Sequence, residues 1–346
     1  MIPNIIPTVT GNDINIIVRN LVREIAANGI TYESSEHSMN RGKKIQEVWN
    51  AAICLTEPRN RIFKSKLQIF NPGLAAIRFV YMISGSDLLE QIAFYTKSVR
   101  YFSDDGKTIP GSSYGARIFS GRSKQNQFEM AAEIIMKRSD TKRAVITIYN
   151  ENDLARSIDS LDIPCVANII FIPRDNVLHM TVSMRANDAV KILPYNVFEF
   201  SLLQECMAAR TGMSLGYYWH TAASMHVRGD NIANIPQLLG ETTTSGRMTA
   251  VPFFSEEIRR QIMQEEVCIR DSCTNSSQVT HGQIYRFWKE YPAIWADILS
   301  TLLCEAFRVH NIEGHKWLKE TVDKTIAQYE KDSVLLGAYR DFLSMQ

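Results

Sequence analysis

The sequence contains no C-x-x-C pair, the cysteine spacing typical of zinc sites. Its six cysteines are scattered over 346 residues. Zinc sites and the disulfide frameworks of small secreted domains both depend on closely spaced cysteines. We therefore expect neither a metal site nor disulfides, and we expect reduced thiols in a cytoplasmic protein.

The sequence also lacks an excess of charge of either sign and a long apolar run. It has 38 basic and 37 acidic residues, and its formal net charge is +1. Such a balance creates no strong field toward nucleic acid or an anionic membrane. The start, Met-Ile-Pro-Asn-Ile-Ile-Pro, lacks the features of a signal peptide. No stretch approaches ~20 uninterrupted apolar residues. We expect a protein that binds neither nucleic acid nor membrane.

Apolar spacing indicates helices toward both ends of the chain. Helical or buried segments are predicted over 15–26, 46–55 and 74–83. Charged helical patterns follow over 256–266, 283–309 and 315–342. We place a boundary near residue 250, with a catalytic domain over 1–250 and a helical C-terminal extension over 251–346 that packs on the core.

The centre of the sequence indicates strands. Residues 144–149 are rich in β-branched side chains, and apolar runs over 169–173 and 177–184 flank a turn at Arg174-Asp-Asn176, as in a hairpin. Residues 102–114 are rich in turn formers and are expected to form a loop. A helix is predicted over 197–211, packed on the sheet. The predicted fold class is α+β, with a mixed β-sheet packed by helices.

Polar residues that carry chemistry follow one another in the central region. Cys165 follows Pro164, between a run expected to end one strand and the apolar run that begins another. Arg185-Ala-Asn-Asp188, Pro194-Tyr-Asn196 and His226 come next in order. An arginine near a thiol favours the thiolate, which is the nucleophilic form. The array therefore indicates a nucleophilic cysteine beside a binding site.

From Pro164 to His226 the sequence resembles the thymidylate synthase superfamily. The family's core pattern is Pro-Cys, a strand hairpin, Arg-x-x-Asp, Pro-aromatic-Asn, a long helix and a strand carrying His, and each part occurs here in order. Upstream, Tyr114-Gly115 and Lys142-Arg143 are similar to the family's Tyr-Gly turn and arginine pair. The resemblance extends over about residues 40–230 and implies a thymidylate synthase-like fold.

The resemblance implies that Cys165 adds to carbon 6 of a pyrimidine nucleoside monophosphate, and that 5,10-methylenetetrahydrofolate supplies a one-carbon unit. It also implies a homodimer in which Lys142 and Arg143 of one protomer complete the site of its partner. The implied catalytic residues are Cys165, Asp188 and Tyr114. The implied substrate ligands are Lys142, Arg143, Arg185, Asn196, His226, Arg228 and one or more of Arg41, Arg59 and Arg61, which are alternatives for an upstream phosphate-binding arginine.

Each residue also has a simpler interpretation. Arg185 and Asp188 would form a surface ion pair. Asn196 would cap the following helix, His226 would be a core histidine, and Cys165 would be a buried structural cysteine. Joint occurrence at the family's spacing favours the functional interpretation over these alternatives.

Several departures from the family's pattern bear on the reaction. Counting back from Gly85, Arg78 occupies the position of the catalytic glutamate, and an arginine stays protonated and cannot act as that acid or base. The chain also ends in Asp341-Phe-Leu-Ser-Met-Gln346, without the short apolar tail that closes over folate. The other replacements are Ala186 for serine, Lys142 for arginine, Arg228 for tyrosine and Val166 for histidine.

These departures argue against the conversion of dUMP to dTMP. They favour a C5 hydroxymethyltransferase or methyltransferase acting on a ribonucleotide, UMP or CMP, over one acting on dUMP. Asn196 favours uracil, although rotation of its amide would also suit cytosine. The alternatives are a nucleotide-binding protein that has lost or redirected folate chemistry, and an enzyme that uses the Cys165 adduct without folate.

Overall fold

A seven-stranded sheet forms the centre of the protein in this computed structural model, which describes residues 7–35, 42–67, 69–120, 125–275, 281–310 and 315–345. The strands are β1 (Thr8–Gly11), β2 (Ile30–Glu33), β3 (Lys44–Leu55), β4 (Val145–Thr147), β5 (Val166–Arg174), β6 (Val177–Asp188) and β7 (Ser214–Arg228). Their order is β1-β3-β7-β6-β5-β4, with β2 beside β3. The β1–β3 and β6–β7 pairs are parallel and the other pairs are antiparallel. The predicted mixed sheet is confirmed.

Helices surround this sheet and make up the C-terminal part of the chain. They are α1 (Ile14–Asn28), α2 (Pro72–Ser84), α3 (Leu89–Ala93), α4 (Gln127–Lys137), α5 (Glu151–Arg156), α6 (Leu193–Thr211), α7 (Ile235–Leu239), α8 (Glu256–Asn275), α9 (His281–Glu290), α10 (Ala293–His310), α11 (His315–Tyr329) and α12 (Val334–Ser344). Within the described part of the chain, no helix combines the length and the apolar character needed to span a membrane.

The hairpin between β5 and β6 follows from its local sequence. Asp175 and Asn176 have φ values of 49° and 61°, the left-handed conformation that Asn and Asp tolerate better than most residues. Two successive positive φ values give the turn the twist of the adjoining strands. The predicted hairpin is confirmed, and it sets the register that carries Arg185 back to Cys165.

Two buried helices position the functional side chains. Helix α6 is buried from Leu193 to Ala208 and packs on β6 and β7. Helix α2 lies between α6 and α10. The approach of α2 to α10 requires glycine at position 73, because an added Cβ would lie 2.6 Å from the Cβ of Glu305. This packing brings Arg78 of α2 to the N-terminal half of α6.

Three predictions of secondary structure were wrong. Residues 46–55 belong to strand β3, not to a helix, because β3 pairs with β7 on one side and with β1 and β2 on the other. No strand ends directly before Cys165, since 157–164 form turns and irregular structure. Third, the C-terminal helical patterns are not continuous. The pattern over 283–309 is interrupted at Tyr291-Pro292, where proline disfavours a helical conformation of the preceding residue, and the pattern over 315–342 is interrupted by a turn at 330–333.

The C-terminal helices pack on α2 and on one another. Helix α10 is buried from Ile294 to Phe307, and its Asp297 accepts hydrogen bonds from the backbone N–H groups of Leu335 and Leu336 at 2.8 and 2.9 Å. These bonds hold the first turn of α12 against α10. The division of the chain near residue 250 stays a prediction.

Candidate active site

Cys165 lies at the bend that precedes β5, and its backbone is held by β6. The backbone N–H of Arg185 donates to the Cys165 carbonyl oxygen at 2.8 Å. The β5–β6 pairing is irregular between Val166 and Asn168, immediately after the cysteine. Such a bulge changes the direction of neighbouring side chains and often lies beside an active site. The Cys165 side chain is half-buried.

The loop before Cys165 is attached to the segment that leads to Tyr114. Asp162 is buried and accepts hydrogen bonds from the backbone N–H groups of Gly111 and Ser112 at 2.5 and 2.6 Å. Burial raises the pKa of the Asp162 carboxyl, although these hydrogen bonds oppose the rise. Position 111 requires glycine, because a Cβ there would lie 1.9 Å from the Asp162 carbonyl oxygen. The two segments therefore support each other.

Arg185 and Asp188 have different partners. The Arg185 side chain is exposed, and its Nε donates to the Pro164 carbonyl oxygen at 3.0 Å, on the loop that precedes Cys165. Asp188 is buried, and its Oδ2 lies 2.8 Å from Nε of Arg228. Its Oδ1 accepts from the backbone N–H groups of Val190 and Lys191. The simpler interpretation, an Arg185–Asp188 ion pair, is therefore wrong.

Asn196 is buried in the first turns of α6, where its side chain bonds to other residues instead of capping the helix. The N-cap is Ile192. Oδ1 of Asn196 accepts from Nη2 of Arg78 at 3.2 Å. Its Nδ2 lies 3.3 Å from Sδ of Met184 and 3.5 Å from Oδ1 of Asn187. The interpretation of Asn196 as a helix cap is wrong.

Arg78 forms an ion pair with Glu199, one turn beyond Asn196 on α6. Nη2 of Arg78 lies 2.7 Å from Oε1 of Glu199, and their side chains are 28% and 4% exposed. Burial disfavours the charged guanidinium, but Glu199 outweighs this effect and the pKa of Arg78 is raised. Nothing in the sequence singled out Glu199, apart from its being one of two acidic residues in an otherwise mostly apolar helix, with Glu205. The site thus has a permanent cation with a carboxylate beside it.

Tyr114 connects these charged groups. Burial raises the pKa of its hydroxyl, charges at Cys165 and Glu199 raise it further, and Arg78 and Arg185 oppose the rise. Its ring is half-buried and stacks on Phe200 with 5.7 Å between ring centroids. Electrostatic effects of this kind decline with distance and with solvent screening. Cys165, Arg185, Arg78 and Glu199 therefore all lie close enough to Tyr114 to affect the pKa of its hydroxyl.

His226 lies in a row of polar residues across three strands. Asp188 of β6 pairs with His226 of β7, which pairs with Glu47 of β3. His226 is half-buried. Another histidine of β7, His220, is fully buried, and burial lowers its pKa to about 3. The interpretation of a core histidine therefore describes His220 and not His226.

Glu47 is a buried carboxylate that sequence reasoning missed. It accepts hydrogen bonds from Nε1 of Trp49 at 2.7 Å and from the hydroxyl of Ser224, and Tyr32 lies at 3.4 Å. Ser224 pairs across the strands with Ala186, the position where the family's pattern has a serine. Glu47 would have been recognisable only if 46–55 had been identified as a strand.

The three candidates for the upstream phosphate-binding arginine were Arg41, Arg59 and Arg61. Arg59 and Arg61 both pair with Glu205 of α6, and Arg61 is fully buried. Arg61 is therefore a structural residue, and the expectation that it contacts a phosphate is wrong. Arg59, at 2.6 Å from Glu205, is held in the same ion pair. Arg41 lies outside the described residues.

Lys142 and Arg143 are exposed and directly precede β4, the strand at one edge of the sheet. Arg174 fixes this segment by donating from Nη1 to the Asp140 carbonyl oxygen at 3.0 Å. The two basic side chains therefore lie on a surface that another molecule can reach.

Comparisons with known proteins agree with this arrangement. A family model described as thymidylate synthase matches residues 84–263. Deoxyuridylate hydroxymethyltransferases of Bacillus phage SP01 and Delftia phage PhiW-14 are each 30% identical, over 201 and 190 residues. These alignments cover 55% and 51% of this chain and 52% and 51% of the phage proteins. The chain thus spans about half the length of these relatives.

Two further comparisons concern cellular proteins. A putative thymidylate synthase of Methanocaldococcus jannaschii is 31% identical over 179 residues, which are 50% of this chain and 76% of the archaeal protein. The structure of thermostable thymidylate synthase A from Bacillus subtilis matches with a TM-score of 0.54, covering 69% of this chain and 86% of that chain. At 20% identity this likeness establishes the fold alone.

Proposed function

This chain belongs to the thymidylate synthase family, and on that premise we propose that it transfers a one-carbon unit to carbon 5 of a uracil nucleoside 5′-monophosphate. The observation that carries the proposal is the cluster of Cys165, Arg185 and Tyr114 with Asn196 nearby through Arg78. A nucleophile, a cation and a base-edge ligand on separate elements meet the basic needs of such a site.

Cys165 would add its thiolate to carbon 6 of the ring, which makes carbon 5 nucleophilic. Arg185 supports this role because its guanidinium bonds to the loop that carries the thiol. A cation beside a thiol favours the thiolate. The same guanidinium has further donors for a phosphate. Arg41 stays a candidate for the upstream phosphate ligand.

Asn196 and His226 would hold the base and the sugar. The Asn196 amide offers both a donor and an acceptor, which matches the ring edge of uracil. His226 is half-buried on β7 beside Asp188 and is suited to a sugar hydroxyl. Arg228 is paired with Asp188, so we propose that it acts on the sugar through that carboxylate.

The residues present fit 5,10-methylenetetrahydrofolate as the one-carbon donor. Oδ2 of Asp188 is buried. It lies 2.8 Å from Nε of Arg228, but it accepts no hydrogen bond from any described residue. A carboxylate oxygen with a remaining lone pair suits an N–H group of a pterin ring. When bound, the folate would supply a carbon unit at the oxidation level of formaldehyde. Asp188 would orient it toward the nucleotide.

The product and the sugar are the finer parts of the proposal. The names of the two phage relatives favour hydroxymethyl over methyl and a deoxyribonucleotide over a ribonucleotide. The replacement of tyrosine by Arg228 favoured UMP or CMP. We propose hydroxymethylation of the uracil ring, and the sugar stays a prediction that a substrate screen decides.

A homodimer would complete the site. Ile170, Thr181 and Trp219 pair across β5, β6 and β7 and are half-exposed, whereas the adjacent row of Ile169, Val182 and His220 is buried. A half-exposed row on a sheet face that includes large apolar side chains such as Ile170 and Trp219 is suited to pack on a second copy. Lys142 and Arg143 would then extend into the site of the partner protomer.

The test is a screen of UMP, dUMP, CMP and dCMP with methylenetetrahydrofolate, read by mass spectrometry. We expect one uracil nucleotide to gain about 30 Da, or about 14 Da if the unit is reduced to methyl. Cys165→Ser should abolish the gain, whereas Cys268→Ser, at an exposed cysteine of α8, should retain it.

Two other outcomes would overturn the proposal. If nucleotides bind without any gain in mass, Arg78 at the glutamate position favours a nucleotide-binding protein without folate chemistry. If carbon 5 exchanges its hydrogen without folate and no nucleotide gains mass with folate, the Cys165 adduct serves a different reaction.

A further inference from the structure

Arg78 occupies the edge of the proposed base site with its charge fixed in place. Glu199 holds one terminal nitrogen at 2.7 Å, and the same nitrogen donates to Oδ1 of Asn196 at 3.2 Å. Nε of Arg78 is buried without a hydrogen-bond partner among the described residues. The side chain keeps 28% of its surface exposed, while Glu199 keeps 4%. The guanidinium is therefore anchored on one side and accessible on the other.

This contact fixes the orientation of the Asn196 amide. A guanidinium has donors and no acceptor, so the amide atom that faces it must be the oxygen. The amide nitrogen then faces Sδ of Met184 and Oδ1 of Asn187, both acceptors. Rotating the amide would set donor against donor and cost about 1–3 kcal/mol. Free rotation to suit either base, as considered from the sequence, is therefore disfavoured.

A buried network supports that orientation from behind. Nδ2 of Asn187 lies 2.8 Å from Nε2 of His220, and Nδ1 of His220 lies 2.9 Å from the Tyr218 hydroxyl. Because the amide nitrogen of Asn187 faces it, Nε2 of a neutral His220 accepts, and the proton is then on Nδ1, which donates to the Tyr218 hydroxyl. The oxygen of Asn187 is thus left to accept from Asn196. The side-chain amides of Asn196 and Asn187 therefore each have one favoured orientation.

We propose that Arg78 is a specificity-determining residue that selects a ring with a 4-oxo group, and that it stabilises negative charge on that oxygen when Cys165 adds to carbon 6. The inference rests on the proposed function, because it takes Asn196 as the ligand of the base edge. A 4-amino group would present its own donors to the guanidinium, so cytosine would bind less well.

The chemistry places the charge at this edge. The Cys165 sulfur forms a bond to carbon 6, the π electrons of the 5,6 double bond form a 4,5 double bond, and the carbonyl π electrons move to the 4-oxygen. Without a one-carbon donor, carbon 5 takes a proton from solvent. Loss of the original proton to water and expulsion of the thiolate then restore the ring. In D₂O this cycle exchanges the carbon 5 hydrogen for deuterium.

The ion pair explains how a cation can replace an acid here. Arg78 cannot transfer a proton near neutral pH, but a fixed donor needs no reorganisation when charge develops beside it. Glu199 is a positioning residue in this scheme, because it orients the guanidinium without contacting the ring.

The experiment compares the wild-type protein with Arg78→Gln and Arg78→Lys, without folate. Calorimetry gives the affinities for UMP, dUMP, CMP and dCMP, and proton NMR in D₂O follows exchange at carbon 5. We expect Arg78→Gln to reduce the preference for uracil about tenfold and to slow exchange by about 10²–10³-fold, the usual effect of removing one donor to an oxyanion. Arg78→Lys keeps the charge and should retain part of both.

A second variant distinguishes an effect on the base site from a loss of folding caused by an unpaired buried charge. Arg78→Leu with Glu199→Leu removes both charges together, which leaves no unpaired buried ion, and should behave like Arg78→Gln. If Arg78→Gln or the double variant keeps both the uracil preference and the exchange rate, the inference fails while the proposed function stands. If the wild-type protein binds none of the four nucleotides, the proposed function itself fails.

Discussion

His220 is a neutral histidine at the end of the hydrogen-bond network behind Asn196. It is fully buried, and burial lowers its pKa from 6.5 to about 3. Between these two values the unfolded chain binds a proton that the folded protein does not. Stability therefore rises with pH across this window and is lost as the pH falls. This part of the pH dependence of stability comes from His220 alone, because its side chain is the group that binds the proton.

We predict that His220→Gln reduces the pH dependence of stability. The free energy of unfolding of the wild-type protein should fall as the pH is lowered from about 6.5 toward about 3. The contribution of one proton is about 1.4 kcal/mol per pH unit, and the variant should lack it. Urea unfolding at several pH values within the window measures the slope.

The matched control for this prediction is His310→Gln, at an exposed histidine at the C-terminal end of α10. This variant should keep the wild-type slope, because it leaves the buried His220 in place. Equal slopes for His220→Gln and the wild-type protein would contradict a neutral buried His220.

The segment before Cys165 depends on the packing of short elements rather than on regular structure. Arg117 of the π-helical turn Ala116–Ser120 forms a buried ion pair with Asp153 of α5, with 2.7 Å between Nη2 and Oδ1. Arg117 also donates to the Pro110 carbonyl oxygen at 2.8 Å. Asp153 completes a capping box with Asn150 at the start of α5. One ion pair thus joins three pieces of chain.

We predict that Asp153→Ala lowers the free energy of unfolding by about 3–5 kcal/mol, because it leaves Arg117 buried without its partner. Chemical denaturation gives this value directly. Glu90→Ala is the matched control, since Glu90 and Arg100 form a bidentate pair with 71% and 47% of their side chains exposed. It should lower the free energy of unfolding much less than Asp153→Ala does, because water screens an exposed ion pair. Similar losses in both variants would show that burial of the Arg117 pair has no special effect.

At the level of elements, the sequence predicted the hairpin and the helices whose conformation depends on residues close together along the chain. The Asp175-Asn176 hairpin was identified because these residues tolerate positive φ. Helices α1, α2 and α6 have apolar faces or Gly stops that can be read along the chain. Strand β3 was missed because both of its edges are paired, and its partner β7 is far away in sequence. Its residues also do not alternate strictly between buried and exposed, since the neighbours Trp49 and Asn50 are both exposed. Without such alternation, periodicity alone does not distinguish a strand from a helix.

The residues of the candidate site were likewise predictable where a pattern along the chain identified them, and not where a contact between distant elements did. Cys165, Arg185 and Asn196 were identified from their order and spacing along the chain. The pairing of Arg78 with Glu199 joins residues 121 positions apart, and it depends on how α2 packs on α6. No local pattern contains that contact. The same limit explains why Arg61 was proposed as a ligand although it is buried against Glu205.

At the level of the whole molecule, two features suggest that two protomers build each active site together. They are the half-exposed row of Ile170, Thr181 and Trp219 on the sheet and the basic pair Lys142 and Arg143 before β4. If Lys142 and Arg143 complete the site of a partner protomer, each site takes its nucleophile from one chain and these cations from the other. Two different inactive variants then carry complementary defects. A monomeric enzyme would have no means of combining them.

We therefore predict that Lys142→Ala/Arg143→Ala and Cys165→Ser, each with little activity alone, regain activity when mixed and allowed to exchange subunits. Random pairing makes half of the dimers mixed, and each mixed dimer has one intact site, so activity should reach about a quarter of the wild-type value. Mass spectrometry of the nucleotide product measures it. Mixing Cys165→Ser with Cys165→Ala is the control and should give none. Failure to recover activity, in a mixture that ultracentrifugation shows to be dimeric and exchanged, would mean that the basic pair serves its own chain.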